Sequence, residues 1–448
     1  MTCVVKGSVQ CARLSVKVRM HNAAARRAAP VHIRGRLGFA RPVRGRRECD
    51  PREAGSMAEG CAEVYARIGQ QVTARADLLW QVALALHGAP ETAFEEVRAA
   101  ELLAGHLERE AFEVERGLAG MPTAFGGRFG NGGGRCAALL LEYDALPVIG
   151  HACGHNLIAS AGLGAALALR GVLDPLQGEL LVLGTPAEEL GGGKVILAEA
   201  GIFENVDAAL MFHPGVHSWS WAPLTASAQV RVAFHGRAAH PTGNPTEGID
   251  ALAALVQLFT VLPVLGRRLP PGAHIQGIVT DGGTATNIVP DYAAGLFGLR
   301  AATTSARDDL ATQLDTCARG IAQATGTRAE ITAVSSGYQH FRNNTVLSAR
   351  FDAHLARAGI PISEPLPGIY LGSSDIGDVS NRLPAIHPFV AITHTGSDHT
   401  PHFAQAAVSS QARTVMLAAA QALACTAADV LLHPDVADAA WACHDRPV

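Results

Sequence analysis

Three short apolar runs each break off into a polar cluster, and this repetition constrains the fold of the 448-residue chain more than any other feature. Residues 136–141 run into Glu142-Tyr143-Asp144, residues 179–184 into Thr185-Pro186-Ala187-Glu188-Glu189, and residues 208–212 into His213-Pro214. Runs this short and this apolar read as strands buried on both faces. Helical stretches follow the first two, at 157–169 and 194–200. Buried strands alternating with helices predict an α/β layer structure with a mostly parallel sheet. Such sheets bind ligands at the carboxyl ends of their strands. All three polar clusters fall there.

The flanks extend the pattern. Val64, Ile68, Val72, Leu78 and Leu79 recur at helical steps over 58–86, and a second helix is expected over 92–110. The Glu95-Glu96 pair would sit in its first turn, where the helix dipole favours anions. Residues 126–134 read as a turn-rich hairpin region. Beyond Thr225 the texture changes, as Val230, Val232 and Phe234 alternate with polar residues. A helix over 247–262, strands at 274–280 and 292–300, a helix over 308–324 and a strand at 329–334 complete a β-α-β-β-α-β order. That order predicts a ferredoxin-like α+β domain inserted at 224–334. The first domain would then comprise 58–223 and 335–448.

Charge separates the first residues from the rest. Residues 1–53 hold 13 basic and three acidic side chains, while the remainder carries 23 basic and 37 acidic. A nucleic-acid binder should be basic where it folds, so nucleic acid is not expected as a partner. The stretch 1–57 lacks sustained periodicity and the apolar core of a secretory signal. It is read as a basic tail, disordered or upstream of a true start at Met57. No run approaches ~18 uninterrupted apolar residues, so no membrane span is expected. Nine cysteines at wide spacing point to reduced thiols and a cytoplasmic location.

Several motifs can be set aside. Gly191-Gly192-Gly193-Lys194 lacks the Ser or Thr and the first Gly of a phosphate loop. No G-x-S-x-G or H-E-x-x-H occurs. What remains is Cys153 and His155, Glu188 and Glu189, His213, and a late pair, His399 and His402. Thiolate, imidazole and carboxylate are the groups that hold Zn²⁺, Mn²⁺ or similar ions. Cys153 and His155 precede a helix whose positive end would favour the thiolate. Of two adjacent carboxylates, one can ligate while its neighbour moves a proton.

As a set, these residues resemble the aminoacylase/carboxypeptidase G family of metallopeptidases, in its N-acyl-amino-acid amidohydrolase subfamily. The resemblance rests on Glu142-Tyr143-Asp144-Ala145-Leu146-Pro147, His151-Ala152-Cys153-Gly154-His155-Asn156 and Pro186-Ala187-Glu188-Glu189 with its glycines. It continues through Gly236-Arg237-Ala238-Ala239-His240, Thr286-Asn287-Ile288-Val289-Pro290-Asp291 and His399-Thr400-Pro401-His402-Phe403. Glu142-Tyr143-Asp144 and Asn156 depart from the usual Asp-Met-Asp and Asp. That departure is similar to the branch of p-aminobenzoyl-glutamate hydrolase subunits and of dipeptidases acting on β-alanyl and γ-aminobutyryl dipeptides.

The resemblance implies two divalent metal ions per subunit, Zn or Mn, in the catalytic domain. It makes Cys153 the shared ligand, with His155, Glu189, His213 and His399 completing the set; His402 competes with His399 for the last position. Glu188 matches the general base toward metal-activated water, and Asp144 the aspartate that orients a ligand. His240 matches a histidine of the inserted lid, which reaches across a homodimer to stabilise the oxyanion. Asn287 matches a substrate contact, and Arg300 is the candidate for the substrate carboxylate. Gly372-Ser373-Ser374-Asp375 resembles a substrate-side loop without an assigned role. The expected function is hydrolysis of the amide bond of an N-acyl amino acid or small dipeptide-like substrate. The alternative is a catalytically inactive metal- or ligand-binding protein on the same fold. A thiol-nucleophile reading, with Cys153 attacking and His155 as base, leaves Glu188 and Glu189 without a role.

Overall fold

A computed structural model describes residues 51–174, 178–334 and 337–446. The basic stretch up to residue 50 lies outside them. The first long amphipathic stretch forms two helices, α1 (Pro51–Ala74) and α2 (Ala76–Gly88), with a break at Arg75. The next helix, α3 (Val97–Arg109), starts later than expected, because Thr92 and Glu95 close a turn ahead of it. Strands β1 (Glu113–Arg116), β2 (Phe125–Gly130) and β3 (Cys136–Glu142) lead to helix α4 (His155–Arg170). Then come β4 (Glu179–Thr185), α5 (Gly193–Glu199), β5 (Ala208–Leu210) and β6 (His213–Gly215).

The main sheet has the order β1-β2-β4-β3-β5 and ends on a strand from late in the chain, β11 (Ala385–Ile386). Its centre, β4-β3-β5, is parallel and β11 continues it, while β2 alone runs against the other strands, so the sheet is mixed but still mostly parallel. Residues 125–130, expected as part of a turn, are strand because their glycines let neighbours approach. A Cβ on Gly127 would lie 2.9 Å from the Leu107 side chain of α3. Period-two alternation serves both faces. Leu139, Leu141 and Val182 enter one core, whereas Leu140, Leu181 and Leu183 enter another.

A second sheet arises from β7 (Ala226–His235), α6 (Ala251–Gly266), β8 (His274–Asp281), β9 (Tyr292–Ala301), α7 (Thr304–Thr325) and β10 (Arg328–Ala333). It is fully antiparallel, in the order β10-β7-β9-β8. Val230, Val232 and Phe234 pack against Leu255 and Leu258 of α6 and Leu310 and Leu314 of α7. The chain finishes with α8 (Thr345–Arg357), α9 (Ile376–Ser380), β11, β12 (Phe389–Ala391), α10 (Pro401–Ala406), α11 (Ser410–Leu432) and α12 (Pro434–His444). β11 extends the main sheet parallel to β5, and β12 pairs parallel with β6. Among the described residues, α11 is long and apolar enough to cross a membrane. It is instead 83% buried, packed as a core helix against α4 and α8.

Candidate metal centre

The parallel register sets Glu142 beside Thr185, so the residues after β3 and β4 emerge side by side. The turn before α4 brings Cys153 and His155 to the same edge. Only glycine fits at position 154: its φ is +81°, and a Cβ there would stand 2.5 Å from Pro214. That close approach packs the Cys153–His155 turn onto His213-Pro214.

His155 is fully buried. Its Nδ1 lies 3.0 Å from Asp144 Oδ1, and Asp144 Oδ2 accepts the Glu189 N–H at 3.0 Å. One carboxylate therefore orients a histidine and a loop together. His155 Nε2 is 3.6 Å from Glu142, 3.8 Å from Glu189 and 4.0 Å from Glu188, without a hydrogen bond to any of them. Glu189 Oε1 lies 3.4 Å from His399 Nε2 and likewise makes no hydrogen bond. Cys153 Sγ lies 3.5 Å from His213 Nε2. His213 Nδ1 donates to the Pro214 carbonyl at 2.6 Å, which leaves the Nε2 lone pair facing the Cys153 thiol.

Among the described residues, potential donor atoms fall into three groups, each within 4.8 Å: Cys153, His155 and His213; Cys153, Glu189 and His399; His155, Glu188 and Glu189. Buried polar atoms normally find partners. The unpaired His155 Nε2 and Glu189 Oε1, beside a thiol and two more imidazoles, fit a borderline-soft divalent cation. Cys153, His155 and Glu189 each belong to two of the groups. Among the described residues His402 joins none; it is exposed, 3.5 Å from Thr395 Oγ1.

Burial opposes a charge on His155, but Cys153 and Asp144 outweigh it and hold its pKa well up. Burial, then Glu142 and Glu189, raise Glu188 well above the carboxylate range. For Glu189 the burial is outweighed by His399 and His155, which lower it. Contrary to the helix-end expectation, the Cys153 thiol is pushed up by burial and by Glu189.

The structure also reveals residues that the sequence did not. Glu96 is no exposed first-turn anion: it is buried, and its Oε1 accepts the Ala187 N–H at 2.9 Å. Ala187 has a φ of +60°, so this contact braces a strained residue beside Glu188. Lys194, the rejected phosphate-loop lysine, is fully buried between Glu142 and Asp375, 2.8 Å from the latter. Burial opposes ionisation of Glu142, yet Lys194 outweighs it and lowers its pKa to about 2. Buried His387, whose ring nitrogens lack partners, stands 5.4 Å from the His213 ring.

Four predicted site residues lie outside the donor groups: Asp144, which touches them through His155 and Glu189, and His240, Asn287 and Arg300. His240 is exposed after β7; its Nδ1 accepts the N–H groups of Thr242 and Gly243 at 3.2 and 2.9 Å, which leaves the proton on Nε2. Asn287 is exposed in the loop between β8 and β9. Arg300, half-buried on β9, donates to Ser373 Oγ at 2.7 Å.

Residues 142–424 match the model of Peptidase family M20/M25/M40. The chain is 37% identical over 406 residues to the Xaa-Arg dipeptidase of Mus musculus, covering 86% of this chain and 93% of that protein. It is 32% identical over 320 residues to a p-aminobenzoyl-glutamate hydrolase subunit of Escherichia coli (strain K12), covering 67% and 66%. Its fold is similar to that of the Bacillus subtilis YXEP protein, described as a dinuclear metal-binding peptidase of the M20 family. That likeness has a TM-score of 0.64 at 23% identity and covers 80% of this chain and 99% of the other.

Proposed function

The chain belongs to peptidase family M20/M25/M40, and from that premise we propose that it is a two-metal hydrolase of a dipeptide-like amide. The observation that carries this reading is the convergence of Cys153, His155, Glu189, His213 and His399 around unpaired buried atoms, with Glu188 beside them. Similarity to an Xaa-Arg dipeptidase over most of both chains favours a short dipeptide ending in arginine over a simple acyl amino acid.

Cys153, His155 and His213 would hold one ion, and Cys153, Glu189 and His399 the other, Zn or Mn. When bound, the pair supplies Lewis acidity toward the scissile carbonyl and toward water. Glu188 takes the proton of the attacking water and returns it to the leaving amine. Its place suits that task, since its carboxylate lies among the donor atoms of His155 and Glu189. Asp144 keeps His155 turned so that Nε2 faces the centre. Arg300 and Asn287 serve the substrate's carboxylate side.

The second sheet acts as the lid and dimerisation domain. Its edge strand β8 exposes Ile278 and Val279, the unpaired, apolar kind of edge that a second copy covers. With its proton on Nε2, the partner subunit's His240 offers a donor to the developing oxyanion. Cys136, Cys153, Cys317, Cys425 and Cys443 are free thiols, which suits a reducing cytoplasm.

The test is hydrolysis of lysyl-arginine, a β-alanyl dipeptide, p-aminobenzoyl-glutamate and acyl amino acids by EDTA-treated full chain, with and without added Mn²⁺ or Zn²⁺. Metal-restored cleavage, fastest on the arginine dipeptide, is expected. Cleavage indifferent to metal overturns the reading. Glu188→Gln should retain metal and lose roughly 10²- to 10⁴-fold in turnover.

A further inference from the structure

Tyr338 stands at the root of the four-stranded sheet, where the chain leaves that sheet for the body of the protein. Its backbone pairs with Ser227 in both directions, at 3.0 and 2.9 Å, beside the start of β7. Arg307 Nη1 donates to the Ser227 and Tyr338 carbonyls, each at 3.1 Å. Backbone and arginine together fix Tyr338 to the root.

The side chain crosses to the catalytic edge. Tyr338 Oη donates to the carbonyl of Glu188 at 2.8 Å. Its ring lies against Gly192, where a Cβ would come within 2.9 Å of it. Gly192 in turn closes the loop, donating its N–H to Ala187 O at 2.8 Å. The peptides around Glu188 are thus held at three points. Ala187 N–H rests on Glu96 and Glu189 N–H on Asp144, both from the body. The Glu188 carbonyl rests on Tyr338, from the root of the other sheet.

We propose that Tyr338 is a positioning residue: its hydroxyl fixes the peptide plane of Glu188, so that the aim of that carboxylate depends on how the second sheet is rooted. The inference rests on Glu188 being the base. Ala187 already sits in the left-handed region, so the loop would not keep this conformation unaided. Releasing the carbonyl lets the 188–189 peptide tilt, and a displacement of about 1 Å at a reacting group costs up to roughly 10²-fold in rate.

Tyr338→Phe in the full-length, metal-loaded protein removes the hydroxyl and keeps the ring on Gly192. Turnover of lysyl-arginine should fall roughly 10- to 100-fold, with KM within about twofold and metal content unchanged. Amide hydrogen exchange, which needs no substrate, should quicken at Gly192 and Glu189. Parental turnover or unchanged exchange overturns the proposal. So does a fall in turnover accompanied by lost metal or a raised KM, which marks a general structural role. Glu188→Gln is measured alongside. If it stays active, the base assignment fails; if it is dead while Tyr338→Phe matches the parent, the Tyr338 proposal alone fails.

Discussion

The two sheets of this protein treat polar groups in opposite ways. In the main sheet every residue of β3 is buried, as is every residue of α4 except Arg170. Yet the same region buries Glu142, Asp144, His155, Glu188, Lys194, His213, Asp375 and His387. In the four-stranded sheet ion pairs lie toward the surface, His235 and Arg328 with Glu330 at 3.0 and 3.5 Å and Arg231 with Asp281 at 3.2 Å. α7 buries only the stripe Leu310, Leu314, Ala318 and Ala322. Surface pairs are worth about 0–1 kcal/mol and place few demands on the fold. Burying a charge costs several times more unless it is paired. Buried, paired charge is therefore concentrated in the body, which suits the chemistry proposed for it.

The sharpest way to break this division is to ask whether the second sheet serves its own site or a partner's. His240→Ala should lower turnover by about 10²–10³-fold, the usual cost of losing one oxyanion donor. Mixing it with Glu188→Gln tests where the histidine acts. In a mixed dimer one site combines an intact Glu188 with the partner's His240, so random exchange of two nearly inactive proteins should restore about a quarter of parental activity. A mixture as inactive as its components would show that each chain's lid serves its own site.

A smaller effect separates buried from exposed carboxylates directly. Asp144→Asn preserves shape but keeps a single acceptor oxygen where His155 Nδ1 and the Glu189 N–H use two, and turns an NH2 donor toward the other. Metal affinity, read by competition with a chromogenic chelator, should weaken about 10- to 100-fold. Glu330→Gln, which removes an exposed partner of His235, should leave that affinity unchanged. Equal losses in the two variants would contradict the orienting role of Asp144.

The sequence made the strand ends legible because each apolar run is short, local and followed at once by its polar cluster. Cys153, His155, Glu188, Glu189 and His213 could be read for that reason. What it hid depends on distant partners. Glu96 looks like a dipole-stabilised surface anion, yet the N–H it accepts comes from Ala187, 91 residues on. Lys194 looks like a failed phosphate loop, and its partner Asp375 is 181 residues away. The antiparallel edge of the main sheet was hidden by its own glycines, which signal turns in isolation. Here Gly127 admits the side chain of Leu107, 2.9 Å from where its Cβ would stand. Tyr338 carries no local signal, since its contact with Glu188 spans 150 residues.

Asp429 on α11 tests whether burial of charge is by itself the mark of the site. It is fully buried in the body, away from the metal centre, but both its oxygens are engaged. Oδ1 accepts from the Tyr65 hydroxyl, while Oδ2 lies 2.9 Å from His354 Nε2 and 3.5 Å from Arg350 Nη1. Burial opposes its ionisation, yet His354 and Tyr65 outweigh it and hold the carboxyl below its ordinary value. A depressed carboxyl pKa adds stability that is present above the unfolded-state value and is lost as pH falls through the folded one. Asp429→Asn should therefore cost about 1–2 kcal/mol in urea unfolding at pH 7. The gap to the parent should shrink below about pH 4. Turnover and metal content should not move. A constant gap at every pH would show that the loss is packing and not charge. If metal content fell as well, unpaired buried atoms such as His155 Nε2 and Glu189 Oε1 would no longer distinguish the site from the paired charges of the core.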